Sequence, residues 1–367
     1  MPREVVIRDP APQIIDLFAG PGGLDVGATW LEIPVTGIEW DPNACATRKA
    51  AGLDTVESDV RKYGPDQFPD ANVLTGGPPC QTFTVAGTGS GRQALGEVVA
   101  QAESMSKHLG DGVLRGAFED DRTGLVLEPL RWALLAIEAG KPFQAIVLEQ
   151  VTAVLPIWEA YGAILERHGY RVAVGVLRTE EYGVPQTRRR AILIARHGDE
   201  KVSLPVPTHQ AYRRGAAEQS ALELRPWVSM GQALGREARF TVISNYGSGG
   251  DPRNRGQRDS DEPSATITGK VMRNRLRLAT GDEDRFSHHE AGRLQTFPHD
   301  YPWSGGDIGQ QIGNAIPPRL AVHVLAHALK IEVDLEELDR TVNSSWFRGR
   351  PISLATSPVD QVRVGQD

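Results

Sequence analysis

Few folds accommodate an apolar run that halts at a glycine-rich turn and restarts as a helix, which is how this chain begins. Ile14-Ile15-Asp16-Leu17-Phe18 leads into Ala19-Gly20-Pro21-Gly22-Gly23, and residues 24–30 then carry helical character. Strand, glycine turn and helix in that order bring backbone N–H groups close to a ligand, and the first such turn of a doubly wound sheet is where nucleotide-like cofactors sit. Alone, the turn is equally compatible with a plain tight connection. The pattern repeats, however. Val35-Thr36-Gly37-Ile38 ends in Glu39-Trp40-Asp41-Pro42, and Thr55-Val56-Glu57 ends at Ser58-Asp59-Val60, so polar groups recur at successive strand ends. Glu39 follows the glycines by roughly twenty residues, the spacing at which a carboxylate meets ribose hydroxyls. Trp40 offers a ring to stack on a purine or simply to pack. Asp41 is expected to cap a helix over 43–51, and Asp59 can accept from an adenine amino group. The fold class read from this order is α/β, a doubly wound Rossmann-like sheet.

A further short strand, Val73-Leu74-Thr75, runs into Gly76-Gly77-Pro78-Pro79-Cys80-Gln81-Thr82-Phe83-Thr84. The glycines allow close approach of a ligand, and the two prolines fix φ so that no strand or helix continues through. A cysteine is more often an inert core residue, but a core thiol has no need of a rigid Pro-Pro turn. Cys80 is therefore the candidate nucleophile, and its reactivity requires a thiolate, with positive potential or a helix N-terminus nearby. Ala145-Ile146-Val147-Leu148-Glu149-Gln150-Val151 places Glu149 at the same sheet edge. Tyr182-Gly183-Val184-Pro185-Gln186-Thr187-Arg188-Arg189-Arg190 enters an apolar strand over 191–195. The two-residue period sends Arg188 and Arg190 to one face, where they suit a base carbonyl and a phosphate, and Arg189 to the other, a solvated edge.

In sequence and order these segments resemble the cytosine-C5 DNA methyltransferases, which use S-adenosylmethionine. Asp16-Leu17-Phe18-Ala19-Gly20-Pro21-Gly22-Gly23 is similar to their cofactor turn, Glu39-Trp40-Asp41 to their ribose and adenine contacts, and Pro78-Pro79-Cys80-Gln81 to their nucleophile loop. The resemblance extends to Asp121-Arg122-Thr123-Gly124-Leu125, to Gln186-Thr187-Arg188-Arg189-Arg190, to Glu290-Ala291-Gly292-Arg293-Leu294-Gln295, and to Ile312-Gly313-Asn314-Ala315-Ile316-Pro317-Pro318. One departure stands out: the family has Glu-Asn-Val where this chain has Glu149-Gln150-Val151, and the longer amide bears on how the cysteine loop is braced.

The resemblance implies catalytic roles for Cys80, Glu149, Arg188 and Arg190. The thiolate adds at C6 of cytosine, Glu149 serves N3 and the exocyclic amine, Arg190 holds O2, and Arg188 fixes the acid or the loop. It implies cofactor contacts from Phe18, Gly20, Gly22, Gly23, Glu39, Trp40, Asp59, Val60, Gly77, Pro79, Leu125, Asn314 and Ile316. S-adenosyl-L-homocysteine is the implied product. The target base must be flipped out of duplex DNA, and no metal is required. A tRNA cytosine-C5 methyltransferase and a catalytically silent DNA-binding homologue are the alternatives. The first lacks its usual second cysteine element here, and the second is disfavoured by an intact Cys80, Glu149 and Arg190. A nicotinamide oxidoreductase has no evident hydride-acceptor site in the second half.

Domain boundaries follow changes in composition. Residues 1–198 read as the catalytic, cofactor-binding domain. The stretch 199–285 is rich in proline and glycine with short strand-like pieces such as Phe240-Thr241-Val242-Ile243, and reads as a smaller target-recognition domain inserted near the C-terminus. Between Arg236 and Arg277 it carries nine Lys or Arg against five acids, a local surplus on a chain of net charge −7, as a DNA-facing surface requires. Residues 286–331 return to the catalytic domain, and 332–367 read as a loosely held tail. The span 87–118 is expected as a mobile lid with a helix of its own over 94–108. Leu127, Leu130, Leu134 and Ile137 predict a helix packed on the sheet.

Bulk properties exclude several classes. With 40% hydrophobic and 24% charged residues and no long apolar run, the chain reads as globular and not membrane-spanning. Its beginning lacks a signal-peptide pattern, and two cysteines are too few for a disulfide framework, so a cytoplasmic monomer is expected. A cognate restriction endonuclease acting separately is the expected partner beside the DNA. His288 and His289 invite a metal reading but have no accompanying ligands at the required spacing.

Overall fold

The structure is a computed structural model and describes residues 10–79, 89–107, 124–214, 224–247 and 255–348. In chain order the first elements are β1 (Ile14–Leu17), α1 (Gly23–Trp30), β2 (Val35–Glu39), α2 (Pro42–Ala51), β3 (Thr55–Glu57), β4 (Val73–Gly76) and α3 (Gly89–Lys107). They continue with α4 (Glu128–Glu138), β5 (Ala145–Gln150), α5 (Leu155–Arg167), β6 (Tyr170–Arg178), β7 (Gln186–Thr187) and β8 (Arg189–His197). A second group comprises α6 (Met230–Leu234), β9 (Phe240–Gly247), β10 (Arg255–Asp259), β11 (Ser264–Ala265), β12 (Arg275–Leu278) and β13 (Glu283–Asp284). The chain closes with α7 (His288–Leu294), α8 (Ile308–Asn314), α9 (Pro318–Leu329) and α10 (Leu335–Val342).

Seven strands form one sheet in the order β3-β2-β1-β4-β5-β8-β6. The doubly wound sheet read from the sequence is what the chain forms, and its central strands β1, β4, β5 and β8 are buried because helices cover both faces. Only β8 runs against its neighbours: Glu149 pairs with Ile192, and Leu177 with Arg190. This reversal matters for the site, because the end of β5 and the start of β8 meet at the carboxyl edge. On one face Trp132, Leu130, Trp158 and Ile157 of α4 and α5 pack on Leu17, Leu74 and Ile146. On the other, Val26 of α1, Leu320 and Val324 of α9 and Leu338 of α10 pack on Ile14, Val73 and Val147.

Asp41 caps α2 by accepting from the amides of Asn43 and Ala44, as its position before a helix predicts. Within the same layer Arg48 and Asp25 form a fully buried two-pronged ion pair, with N–O distances of 2.9 and 2.6 Å. Arg48 spends its remaining donors on Thr55 Oγ1 and the carbonyl of Asp54, which ties α1, α2 and β3 together.

Strands β9, β10, β12 and β13 make a separate antiparallel sheet in the order β10-β9-β12-β13. Its inner face, with Phe240, Val242 and Leu276, packs with Phe286, with Leu294 of α7 and with Ile312 of α8. Pairing of β7 with β11 adds a two-residue parallel ladder joining this region to the entry of β8.

Two expectations change. The helix foreseen after the cysteine loop exists as α3, but it does not ride on a mobile lid. Val98, Ala102 and Met105 are buried, Glu103 pairs with Arg167 of α5 at 2.8 Å, and Ser106 Oγ lies 3.3 Å from His168 Nε2. An apolar face spaced at 98, 102 and 105 docks for the same reason any amphipathic helix does. The flanking stretches 80–88 and 108–123, which hold the rest of that expected lid, lie outside the described residues. The polar stretch after Glu332 is likewise not a loose tail as far as residue 348. Leu338 and Val342 are buried, Asp339 pairs with Arg319 and Arg225, and Arg293 donates to the carbonyl of Val342. Its charged sequence conceals three inward positions at helical spacing, 338, 341 and 342. Residues 349–367 lie outside the described residues.

Among the described residues no helix is long and apolar enough to cross a membrane, and no group of three or more His, Cys, Asp or Glu is placed to hold a metal ion.

Candidate active site

The turn after β1 is built on strained backbone. Phe18 has φ +60°, Gly20 +56° and Gly22 +100°, and a non-glycine residue in this region is uncommon enough to mark a functional turn. Glu39 at the end of β2 holds the turn. Its Oε2 accepts from the Gly20 amide at 2.7 Å, and its Oε1 accepts from the amides of Trp40 and Asp41, both at 2.8 Å. A carboxylate has about four acceptor positions, so one remains on Oε2 for a ligand hydroxyl. Phe18, Glu39, Trp40, Asp59, Val60 and Leu125 line one shallow pocket beside this turn. Trp40 is 54% exposed there, so its ring face is available to a planar ligand.

Asp59 is less open than its sequence position suggests. Arg61 donates to it from its amide and, through Nε and one Nη, to both carboxylate oxygens at 2.7–3.1 Å. These bonds hold the Asp59 carboxyl below its ordinary value against the opposing effect of burial.

The far wall comes from the other end of the chain. A methyl group added at Gly23 would sit 2.2 Å from the Ile316 carbonyl oxygen and 3.3 Å from Ala315 Cβ, whereas one added at Gly20 meets nothing within 4 Å. The glycine turn is thus pressed against Ala315-Ile316 on one side and open on the other. Tyr301 reinforces the contact by donating to the Pro21 carbonyl at 2.5 Å. Asn314 is exposed at this junction, and its Oδ1 accepts from Gln310 Nε2. Gly22 has the Leu53 side chain and Tyr301 where a Cβ would go.

Beneath the turn, Asp16 is buried and accepts from Thr75 Oγ1 at 2.6 Å. Burial, with the Asp25 charge next, pushes its carboxyl up to about 8, while the Thr75 bond and Arg48 act in the opposite sense.

At the end of β5 Glu149 lies with Arg190 of β8, with Nε 2.6 Å from Oε1 and both side chains about nine-tenths buried (11% exposed each). At this separation the pair is a close, largely desolvated charge–charge contact. Burial pushes the Arg190 guanidinium below its ordinary value, and Glu149 pulls it back up. A methyl group added at Gly77 would lie 3.7 Å from Glu149 Oε2, so the strand end leading through Pro78 and Pro79 toward residue 80 passes beside this carboxylate. Cys80 itself lies outside the described residues. Gln150, where the family has Asn, donates from Nε2 to the Pro78 carbonyl at 2.6 Å and accepts from the Val151 amide with Oε1. The longer side chain therefore grips the turn directly.

Arg188 is placed differently from the expectation that it fixes the acid or the cysteine loop. It is 1% exposed, and its guanidinium donates to three backbone carbonyls, those of Ile267 (2.9 Å), Gly313 (2.9 Å) and Ala315 (3.3 Å). Alternation along the strand does bring Arg188 and Arg190 inward and leaves Arg189 exposed.

Sequence reasoning missed Arg131 and Glu128. Arg131 donates to Glu128 and to the carbonyls of Val60 and Tyr63, fixing the turn that carries Asp59 and Val60. A signal existed: Arg131 falls four residues after Leu127 and beside Leu130 on an otherwise apolar face. A roomier cavity of about 490 Å³, lined by residues including Gln13, Pro34, Asp54 and Phe68, opens at the amino ends of β1 and β2. Doubly wound sheets bind ligands at the carboxyl ends, so the chemistry belongs with Glu149.

Several known proteins are similar to this chain in sequence or in fold. The sequence model of the C-5 cytosine-specific DNA methylase family matches residues 12–108 and 112–223. Type II methyltransferase M1.HphI of Haemophilus parahaemolyticus is 27% identical over 355 residues, covering 87% of each chain. Type II methyltransferase M.BbvI of Brevibacillus brevis is 25% identical over 379 residues, covering 90% of this chain and 94% of its own. The crystal structure of the S. pombe Dnmt2 methyltransferase shares the fold, with a TM-score of 0.57, 16% identity and coverage of 87% of this chain and 98% of that one.

Proposed function

Since the chain belongs to the C-5 cytosine-specific DNA methylase family, and is thereby a DNA cytosine-C5 methyltransferase, we propose that it methylates a cytosine flipped out of duplex DNA through a covalent bond from Cys80. The observation that carries this reading is the Glu149–Arg190 pair, 2.6 Å apart, beside the strand end that leads to Cys80.

Cytosine C5 is too weak a nucleophile to accept a methyl group directly. A Cys80 thiolate adding at C6 makes C5 enamine-like. Glu149 holds N3 and the exocyclic amine and delivers a proton as charge builds on the ring, and Arg190 holds O2. The Arg190 guanidinium keeps the Glu149 carboxylate in place at the edge where a base would meet both groups. After transfer, C5 loses its proton to a base such as water, the C6–S bond breaks, and the thiol is regenerated. A stacked base cannot reach this edge, so it must be extruded at a cost of a few kcal/mol.

The residues beside the glycine turn suit S-adenosylmethionine, which would supply an electrophilic methyl group on its sulfonium. Trp40 offers a face for adenine, the free acceptor position on Glu39 suits a ribose hydroxyl, and the open side of Gly20 leaves room for the donor. Gly22, Gly23, Gly77, Pro79, Asn314 and Ile316 would form the rest of its surroundings. The basic small sheet would read the DNA as a target-recognition domain over 199–285. Relatives named as Type II methyltransferases support a restriction endonuclease as a separate partner.

Incubation with labelled S-adenosylmethionine and either duplex DNA or tRNA tests the reading. Label should enter DNA, and Cys80→Ser should abolish transfer while keeping cofactor binding. Methylation by that variant would remove the nucleophile, and transfer confined to tRNA would remove the substrate.

A further inference from the structure

Arg188 is an expensive residue to bury. Among the described residues no carboxylate lies within ion-pair distance of it, its Nε has no hydrogen-bond partner, and burial together with the nearby Arg190 charge holds its guanidinium well below the ordinary value. A cation desolvated with no direct ion pair, and only the Glu149 charge opposing the shift, needs some specific return. Its donors supply one, because the three carbonyls it binds come from two different parts of the molecule. Ile267 follows β11, the strand that ladders the small-sheet region onto β7. Gly313 and Ala315 lead into Ile316, whose carbonyl closes on Gly23 at the cofactor turn. Two buried amides run beside it. Gln186 Oε1 accepts from the Ile267 amide at 2.7 Å and its Nε2 donates to Gln295 Oε1 at 2.7 Å, while Gln295 Nε2 donates to the Ile312 carbonyl at 2.7 Å. Two residues along the strand from Arg188 stands Arg190 with Glu149.

Resting on the donor and DNA reading above, we propose that Arg188 is a positioning residue that couples the two ligands. Seating of the small sheet on DNA sets Ile267, Arg188 transmits that position to Gly313 and Ala315, and the Ala315-Ile316 wall tightens on the bound cofactor. The fork of an arginine suits this task, since one rigid plane of donors spans carbonyls from both segments, whereas the single ammonium of a lysine cannot. Coupling of this kind is reciprocal, so the cofactor must strengthen DNA binding by the same factor.

The test uses the full chain, S-adenosylhomocysteine as a non-reacting probe, and sheared unmethylated plasmid DNA. In the wild type, DNA should raise S-adenosylhomocysteine affinity by at least about fivefold, the lower end of typical coupling. In Arg188→Lys the ratio of S-adenosylhomocysteine affinities with and without DNA should fall to near one, whatever each ligand's own affinity becomes, a pattern that general loosening of the fold would not give. Hydrogen exchange on the unmodified protein serves as a second measurement. DNA alone should slow exchange at amides 311–316, and S-adenosylhomocysteine alone should slow it at 264–268. Undiminished enhancement in Arg188→Lys, or DNA protection confined to the small sheet, overturns the proposal. Failure of the wild type to bind S-adenosylhomocysteine at all would instead overturn the donor reading, and this inference with it.

Discussion

Replacing Gly23 by alanine probes the joint between the two ends of the chain. The new Cβ would lie 2.2 Å from the Ile316 carbonyl oxygen, where ordinary contact begins near 3.4 Å. The obstructing atom is backbone, so no rotamer change relieves the clash, and Ala315-Ile316 must retreat by about 1 Å. Overpacking of this size costs about 1–3 kcal/mol of stability, or a few degrees in thermal midpoint. Since a 1 Å misplacement of binding groups costs on the order of 100-fold, KM for S-adenosylmethionine should rise between about 10- and 100-fold. KM for DNA should move much less. Gly20→Ala makes a useful contrast, because its Cβ meets nothing within 4 Å and its cost is that of forcing φ +56° on alanine, about 1–2 kcal/mol. Initial rates against donor concentration, with melting curves for both variants, provide the assay. If Gly23→Ala melts low yet keeps its donor KM, the contact is packing only and Ile316 is no wall of the cofactor site. If neither quantity moves, the close approach itself is wrong.

Two further outcomes follow from buried ionisable groups. Asp16, raised to about 8, favours the folded state in its protonated form, so its contribution is full below the unfolded value near 4 and is lost as pH rises toward 8. Asp16→Asn should therefore gain stability over wild type between pH 6 and 8, by up to about 1.4 kcal/mol per pH unit; parallel melting-point profiles for the two proteins would contradict this. Cys45 is buried, and burial first, then Glu39 and Glu57, pushes its thiol up to about 12. With only two cysteines in the chain, a disulfide reagent at pH 8 should titrate one fast thiol in the native protein and none in Cys80→Ser, an expectation that a second fast equivalent would defeat.

Much of the main sheet was legible because each strand pairs an apolar run with a polar or glycine end, a local pattern. Glu39, Trp40, Asp59 and Glu149 could be placed at one edge on that basis. The direction of Arg188 could not be read, because period-two alternation tells which face a side chain takes but not whether a carboxylate or a carbonyl awaits it. Gln150 could be flagged only as a departure, since its bond to Pro78 depends on the path of the turn. The docking of α10 was hidden for a related reason. Acids and an arginine dominate its sequence, and the partners of Asp339, Arg319 and Arg225, are distant along the chain. Arg131 shows the complementary case, where a single charged residue on an apolar stripe carried information that went unused.

Because the glycine turn near residue 20 is pressed against residues 315 and 316, one side of it stays bare on a partly synthesised chain. A ribosome must deliver nearly the whole polypeptide before that side is covered. Prematurely terminated products would carry residues 80 and 149 without residues 315 and 316. Cutting the gene in the connection after residue 198 would likewise put the turn on one fragment and residues 315 and 316 on the other, in contact again only when the two reassociate.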